Sequence, residues 1–217
     1  MIINPETAER VALHLLEINA IKLSPEKPVI WASGLHSPIY CDNRLALSYP
    51  AIRDFIRQEL TKTVKEKFSR ANLVAGVATA GIPQGVLVAQ DLNLPFAYVR
   101  SSAKTHGMTN RIEGLVQKGQ TAIVVEDLVS TGKSSLAAVE ALRKAGIQVT
   151  GMISIFTYDL PVARENFEKA NCRLVSLSDY PHLMEAALSH NFIDNAMLKS
   201  LYAWREDPKK WSETHAG

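Results

Sequence analysis

The sequence predicts an α/β protein in which a central, mostly parallel β-sheet is flanked by helices. Three observations carry that prediction. Short, nearly continuous apolar runs at 73–77, 96–99, 122–125, 149–156 and 174–177 have the character of strands buried on both faces. Helix-forming stretches at about 82–90, 134–145 and 161–170 alternate with them, as parallel strand connections require. The chain has 217 residues, 47% of them apolar, with 24 Lys plus Arg against 22 Asp plus Glu. Such a balance describes a soluble globular protein, and the length suits one domain over 1–217 with an elaboration rather than two large domains.

Taken in order, Asn4, Pro5 and Glu6 make a helix start: a side-chain cap, a preset first residue and an acid in the first turn. Val11, Leu15 and Ile18 continue an apolar stripe, so the first helix is expected over about 5–20. Val29, Ile30 and Trp31, and then Pro38 to Cys41, are β-prone runs around Ser33 and Gly34, the pattern of a hairpin. Pro50 opens a charged amphipathic helix to about Phe68. The β/α alternation follows, and its helix at 134–145 is closed by Arg143 and Lys144 in the last turn and Gly146 beyond. The tail, about 181–211, reads as helical. No repeat, low-complexity tract or Pro/Gly/Ser-rich linker interrupts the chain.

A net charge of +2 is too small and too evenly spread for nucleic acid or an anionic membrane to be the main partner. No run approaches the roughly 18–20 apolar residues of a membrane span, and the start of the chain lacks a basic segment followed by an apolar one, so a cytoplasmic location is expected. Cys41 and Cys172 stand alone, without the spacing of a disulfide framework or zinc site, and are expected as reduced thiols. The histidines at 14, 36, 182, 190 and 215 have no metal-ligand spacing, and Trp31, Trp204 and Trp211 read as packing groups.

Chemistry concentrates in AIVVEDLVSTGKSS, residues 122–135: an apolar strand, two acids, a turn with hydroxyls and a glycine, then a helix. Ligands of open α/β sheets bind at the carboxyl ends of strands. Ser130, Thr131, Gly132, Lys133 and Ser134 offer backbone N–H groups, hydroxyls and the positive end of a helix dipole, which suit a phosphate. Glu126 and Asp127 would repel a phosphate but accept hydrogen bonds from hydroxyl groups. A ribose phosphate meets both demands. A nucleoside-triphosphate P-loop shares Gly132-Lys133-Ser134 but needs a glycine where Asp127 stands, and ranks below the sugar-phosphate reading. An N-cap cluster explains the serines but not the paired acids.

Two further segments suit the same ligand. Residues 100–111 are polar and basic, with Arg100, Lys104 and His106 close together and no acid before Glu113. They read as a mobile loop whose cations suit an anionic ligand, the alternative being a solvated hairpin. Thr79, Ala80 and Gly81 follow another buried strand, where small residues let backbone approach a ligand ahead of a helix.

VVEDLVSTGKSS resembles the phosphoribosyl-diphosphate motif of the type I phosphoribosyltransferases. The resemblance extends to the orotate phosphoribosyltransferases through WASGLHSPIYCDNRLALSYP (31–50), GVATAGIP (76–83), YVRSSAKTHGMTNRIEG (98–114), SIFTYDLP (154–161) and SLSDY (176–180). It implies the fold of that family: a small N-terminal hood at about 1–50, a core at about 51–180 and C-terminal helices at about 181–211. It implies transfer of the 5-phosphoribosyl group from phosphoribosyl diphosphate to orotate, with Mg²⁺ held mainly by the substrate, in UMP synthesis. By the same resemblance Glu126 and Asp127 bind the ribose hydroxyls, 130–134 hold the 5-phosphate, and Ser130 also lies near the orotate. Thr79, Ala80 and Gly81 form the diphosphate loop, and Ile39 and Tyr40 flank the base. The basic loop closes over the neighbouring subunit's site in a homodimer, with Lys104 the catalytic cation, His106 a diphosphate contact and Arg100 beside them.

The chain departs from the family's habit at His36, where lysine is frequent, and at Ser102, where a second loop lysine is. Met108-Thr109 replaces common glycines, and Lys133 replaces a small residue; it either adds a phosphate contact or points to solvent. Two other readings share the 122–135 segment. A purine or other pyrimidine phosphoribosyltransferase would differ in 31–50 and 98–114. A regulator that senses phosphoribosyl diphosphate without turnover would not need Arg100, Lys104 and His106.

Overall fold

A computed structural model describes residues 2, 4–31, 34–101 and 111–215. Helix α1 (Pro5–Glu17) begins as its sequence dictates, with the Asn4 side chain accepting from the N–H groups of Glu6 and Thr7. Its stripe of Ala8, Val11, Ala12, Leu15 and Leu16 is buried.

Four short strands follow: β1 (Ile21–Leu23), β2 (Val29–Ile30), β3 (His36–Ser37) and β4 (Ile39–Cys41). The expected hairpin is corrected here. Only His36 and Ser37 return along β2, while residues 39–41 pair antiparallel with β1, Ile21 opposite Cys41. The break falls at Pro38, which has no N–H to give a ladder. The Ser37 hydroxyl turns the chain there, accepting from the Ile39 N–H and donating to the Ile39 carbonyl. Ile21 and Ile39 are then both buried, which the hairpin register would not achieve. A 3-10 helix (Asn43–Ser48) leads into α2 (Pro50–Lys67).

The remaining elements run β5 (Leu73–Val77), α3 (Gly81–Leu92), β6 (Phe96–Val99), β7 (Ile112–Glu113), β8 (Thr121–Val129), α4 (Lys133–Lys144), β9 (Gln148–Thr157), α5 (Pro161–Lys169), β10 (Leu174–Asp179), α6 (Tyr180–Ser189), α7 (Asn195–Glu206) and α8 (Pro208–Thr214). One six-stranded sheet has the order β10-β9-β8-β5-β6-β7, and every pairing in it is parallel except that of β7 with β6. All five apolar runs are its parallel strands. Strand β7, two residues long, is too short to show a hydrophobic period. The tail is three helices, broken where Asn191 turns left-handed and where Asp194 and Asp207 cap new starts. No helix among the described residues is long and apolar enough to cross a membrane.

Helix α1 packs on β10 and α6, α2 on α3 and β9, and α3 on β5 and β8. The hood is fastened from both sides. Asn43 Nδ2 donates to the Asp127 carbonyl at 2.8 Å, and the His36 N–H donates to Ser212 Oγ of α8, also at 2.8 Å. The Trp31 ring lies against Tyr158 and Trp204, with centroids 5.5 and 5.6 Å away. Trp204 and Trp211 are buried packing groups, as expected.

Candidate active site

Glu126 and Asp127 lie inside β8, not after it. The strand was expected to end at 125 with the apolar run, but pairing with β9 continues through Glu126 opposite Ser154 and Val129 opposite Thr157. The acids are therefore held by rigid backbone near the carboxyl edge of the sheet. Glu126 is 6% exposed; it accepts from Ser135 Oγ at 2.9 Å and from the Asp127 N–H at 3.1 Å. Burial first, and then the adjacent Asp127 charge, pushes the Glu126 carboxyl well above the usual carboxylate range. Burial also raises Asp127, while its hydrogen bonds with the Glu126 side chain and the Leu128 N–H pull it back in part. Among the described residues neither acid has an ion-pair partner, so the pair is set to receive hydrogen-bond donors.

The turn after β8 leads into α4 through Gly132. Gly132 has φ +78°, and a Cβ there would come 2.7 Å from the Phe167 ring, so only glycine fits. Asn166 Nδ2 steadies the turn by donating to the Thr131 carbonyl at 2.9 Å. Helix α4 starts at Lys133 with no side-chain cap, leaving its first N–H groups for a ligand. Ser130 and Thr131 are half-buried, and Lys133 and Ser134 are exposed on the opening turn.

Thr79 and Ala80 lead from β5, the strand beside β8, into α3, which is likewise uncapped. The Ala78–Thr79 peptide is cis. Gly81 lets α3 start directly on β8, since a Cβ there would lie 2.5 Å from the Val125 carbonyl oxygen. Two uncapped helix N-termini thus follow adjacent strands, one of which carries the acid pair.

Arg100 follows β6, where its N–H donates to the Arg111 carbonyl at 2.8 Å and Arg111 Nε donates back to the Arg100 carbonyl at 2.9 Å. Its guanidinium stands 3.6 Å from Glu113. The other expected loop positions, Lys104 and His106, and the departures Ser102, Met108 and Thr109, lie outside the described residues. On the hood, the Ile39 side chain is wholly buried in the core, whereas Tyr40 is 41% exposed.

A family model described as the phosphoribosyl transferase domain matches residues 46–179. An orotate phosphoribosyltransferase from Phocaeicola vulgatus is 50% identical over 207 residues, 95% of this chain and 98% of its own. The chain belongs to the orotate phosphoribosyltransferase family. An orotate phosphoribosyltransferase from Listeria monocytogenes is 48% identical over 205 residues, 94% of this chain and 98% of its own. The crystal structure of orotate phosphoribosyltransferase from Aeropyrum pernix gives a TM-score of 0.74 at 27% identity, covering 85% of this chain and 99% of that one. In this phosphoribosyltransferase the region matched by the family model ends with β10, so it takes in the whole sheet and leaves out β1 to β4 and α6 to α8.

The structure also assembles residues that sequence reasoning passed over. Ser135 is the buried hydroxyl that holds Glu126, and its signal was present in the last serine of the motif. Asn43 reaches the acid pair's backbone from 84 residues away and carried no local signal. Arg44 chelates Asp42 through Nε and Nη2 at 2.6 and 2.8 Å, beside Tyr40 and Asp127.

Proposed function

We propose that the protein transfers the 5-phosphoribosyl group of phosphoribosyl diphosphate to N1 of orotate, giving orotidine 5′-phosphate and diphosphate in UMP synthesis. The observation that carries this reading is the acid pair, buried Glu126 and half-buried Asp127, without an ion-pair partner among the described residues and followed by an uncapped helix N-terminus in a chain of this family. The acids accept the ribose 2- and 3-hydroxyls, and Ser130, Thr131, Gly132, Lys133 and Ser134 seat the 5-phosphate. Thr79, Ala80 and Gly81, at the α3 N-terminus, receive the diphosphate. Tyr40, with Ile39 behind it, and Ser130 border the orotate.

The reaction is a dissociative displacement: the bond from ribose C1 to the diphosphate oxygen breaks, its electron pair leaves with the diphosphate, and orotate N1 bonds to C1. No protein nucleophile is needed. Arg100, Lys104 and His106 meet the charge that grows on the leaving group. Among the described residues no group of three or more His, Cys, Asp or Glu side chains is gathered into a metal cage. A hydrated Mg²⁺ would be carried mainly by the substrate's diphosphate, and the carboxylates of Glu126 and Asp127 on β8 would be available to its waters. There the ion would supply neutralisation of phosphate charge.

The proposal includes a homodimer with the loop of one subunit over the site of the other. Exposed Leu45, Tyr49 and Val86, on elements that flank α2, support an apolar contact there. It also includes a cytoplasmic location, consistent with free thiols at Cys41 and Cys172. The test is loss of orotate absorbance with phosphoribosyl diphosphate and Mg²⁺, with uracil, adenine and hypoxanthine as parallel acceptors. Turnover restricted to orotate is expected; turnover with another base instead, or tight phosphoribosyl-diphosphate binding without turnover, overturns the reading.

A further inference from the structure

Helix α4 turns one face to the core, and its buried positions are Ser135, Ala138, Val139 and Leu142. Their i, i+3, i+4, i+7 spacing is the apolar stripe of a surface helix, yet a hydroxyl takes its first place. Alanine would suit both the stripe and the helix better. Ser135 is 2% exposed, and a serine buried in a helix can satisfy its hydroxyl on a carbonyl of the preceding turn. Here the hydroxyl leaves the helix and donates at 2.9 Å to Glu126 Oε2, nine residues back on β8.

The two oxygens of Glu126 are thereby held separately. Oε1 accepts from the Asp127 N–H at 3.1 Å and Oε2 from Ser135. The last torsion of a glutamate side chain is broad, so a carboxylate anchored at one oxygen turns and one anchored at both does not. Each oxygen keeps a further lone pair to offer, in a plane fixed before any ligand arrives. The Ser135 bond also favours the charged carboxylate, against burial first and the Asp127 charge second. Lys133 and Ser134, on the same turn of helix, are exposed. One helical turn thus carries part of the proposed phosphate seat and the brace of the acid, and ties the two together.

We propose that Ser135 is a positioning residue for the ribose ring: it holds the Glu126 carboxylate in the plane that accepts the ring hydroxyls of a 5-phosphoribosyl ligand. The proposal rests on the reading of the acid pair above and deepens it. In this role Ser135 touches no substrate and acts through Glu126 alone.

Ser135→Ala removes the hydroxyl and leaves the helix and its stripe intact. Calorimetric titration of native and variant protein with ribose 5-phosphate and with inorganic phosphate separates the ring hydroxyls from the phosphate seat. The variant is expected to bind ribose 5-phosphate about tenfold more weakly, with phosphate affinity unchanged. Initial rates should show the same split, KM for phosphoribosyl diphosphate rising while KM for orotate holds. In a Glu126→Ala background the substitution should weaken ribose 5-phosphate no further, and a second loss of the same size there would show that the hydroxyl acts elsewhere. Unchanged ribose 5-phosphate affinity overturns the proposal, as does equal weakening of both ligands, the mark of a helix displaced as a whole. A native protein that binds ribose 5-phosphate no tighter than phosphate would overturn the reading of the acid pair itself, and the brace with it.

Discussion

Burial lifts the Glu126 carboxyl above the usual carboxylate range, and that shift couples stability to pH. Its folded pKa lies above that of the unfolded chain, so the native state holds more protons between the ordinary glutamate value, about 4.3, and the raised one. Stability therefore falls as pH rises through that window. Glu126→Gln removes this titration and is expected to raise Tm relative to the native protein at pH 8 but not at pH 5, while phosphoribosyl-diphosphate binding is lost. Thermal unfolding at the two pH values checks it, and an equal Tm difference at both would contradict the burial argument. Lys104 belongs to the same scale: a cation acting on developing charge should matter more to turnover than to binding. Lys104→Ala is expected to lower kcat by about a hundredfold or more with a far smaller effect on equilibrium binding of phosphoribosyl diphosphate; equal losses would contradict a transition-state role. Glu126, Asp127 and 130–134 are legible in the sequence because their meaning lies in residue type and local spacing. Asn43 is not, because its partner is 84 residues away.

At the scale of elements, the turn between β8 and α4, the proposed phosphate seat, depends on the Asn166 bond to the Thr131 carbonyl and also on Gly132. Alanine there meets both a left-handed φ of +78° and the Phe167 ring 2.7 Å from its Cβ. The conformational part alone costs about 1–2 kcal/mol, so Gly132→Ala is expected to lower Tm by several degrees and to raise KM for phosphoribosyl diphosphate, as measured by calorimetry and initial rates. A normal Tm and KM would mean that the turn yields easily. Parallel strands are legible because burial on both faces leaves a continuous apolar run. Strand ends are less so: β8 runs on past its apolar residues because β9 keeps pairing with it. The two- and three-residue strands of the hood carry no period, so which of them pair is decided by Pro38 and the shared burial of Ile21 and Ile39.

For the molecule as a whole, the proposed sharing of sites makes activity a property of two chains. Mixing Lys104→Ala subunits with Asp127→Asn subunits should restore turnover through heterodimers that keep one site with both groups intact. No restoration after proven subunit exchange would show that each chain works alone. The β/α order was enough to expect a parallel sheet, but the order of its strands and the closure of the hood depend on contacts between distant segments. That closure sets a timetable for synthesis. The Ala8 carbonyl waits for the Ser178 hydroxyl, 170 residues later, and the His36 N–H waits for Ser212, 176 residues later. A ribosome makes the N-terminal segment first, yet these two partners come far behind it. A nascent chain halted before Pro208 has every strand of the sheet but lacks the Ser212 hydroxyl that accepts from the His36 N–H.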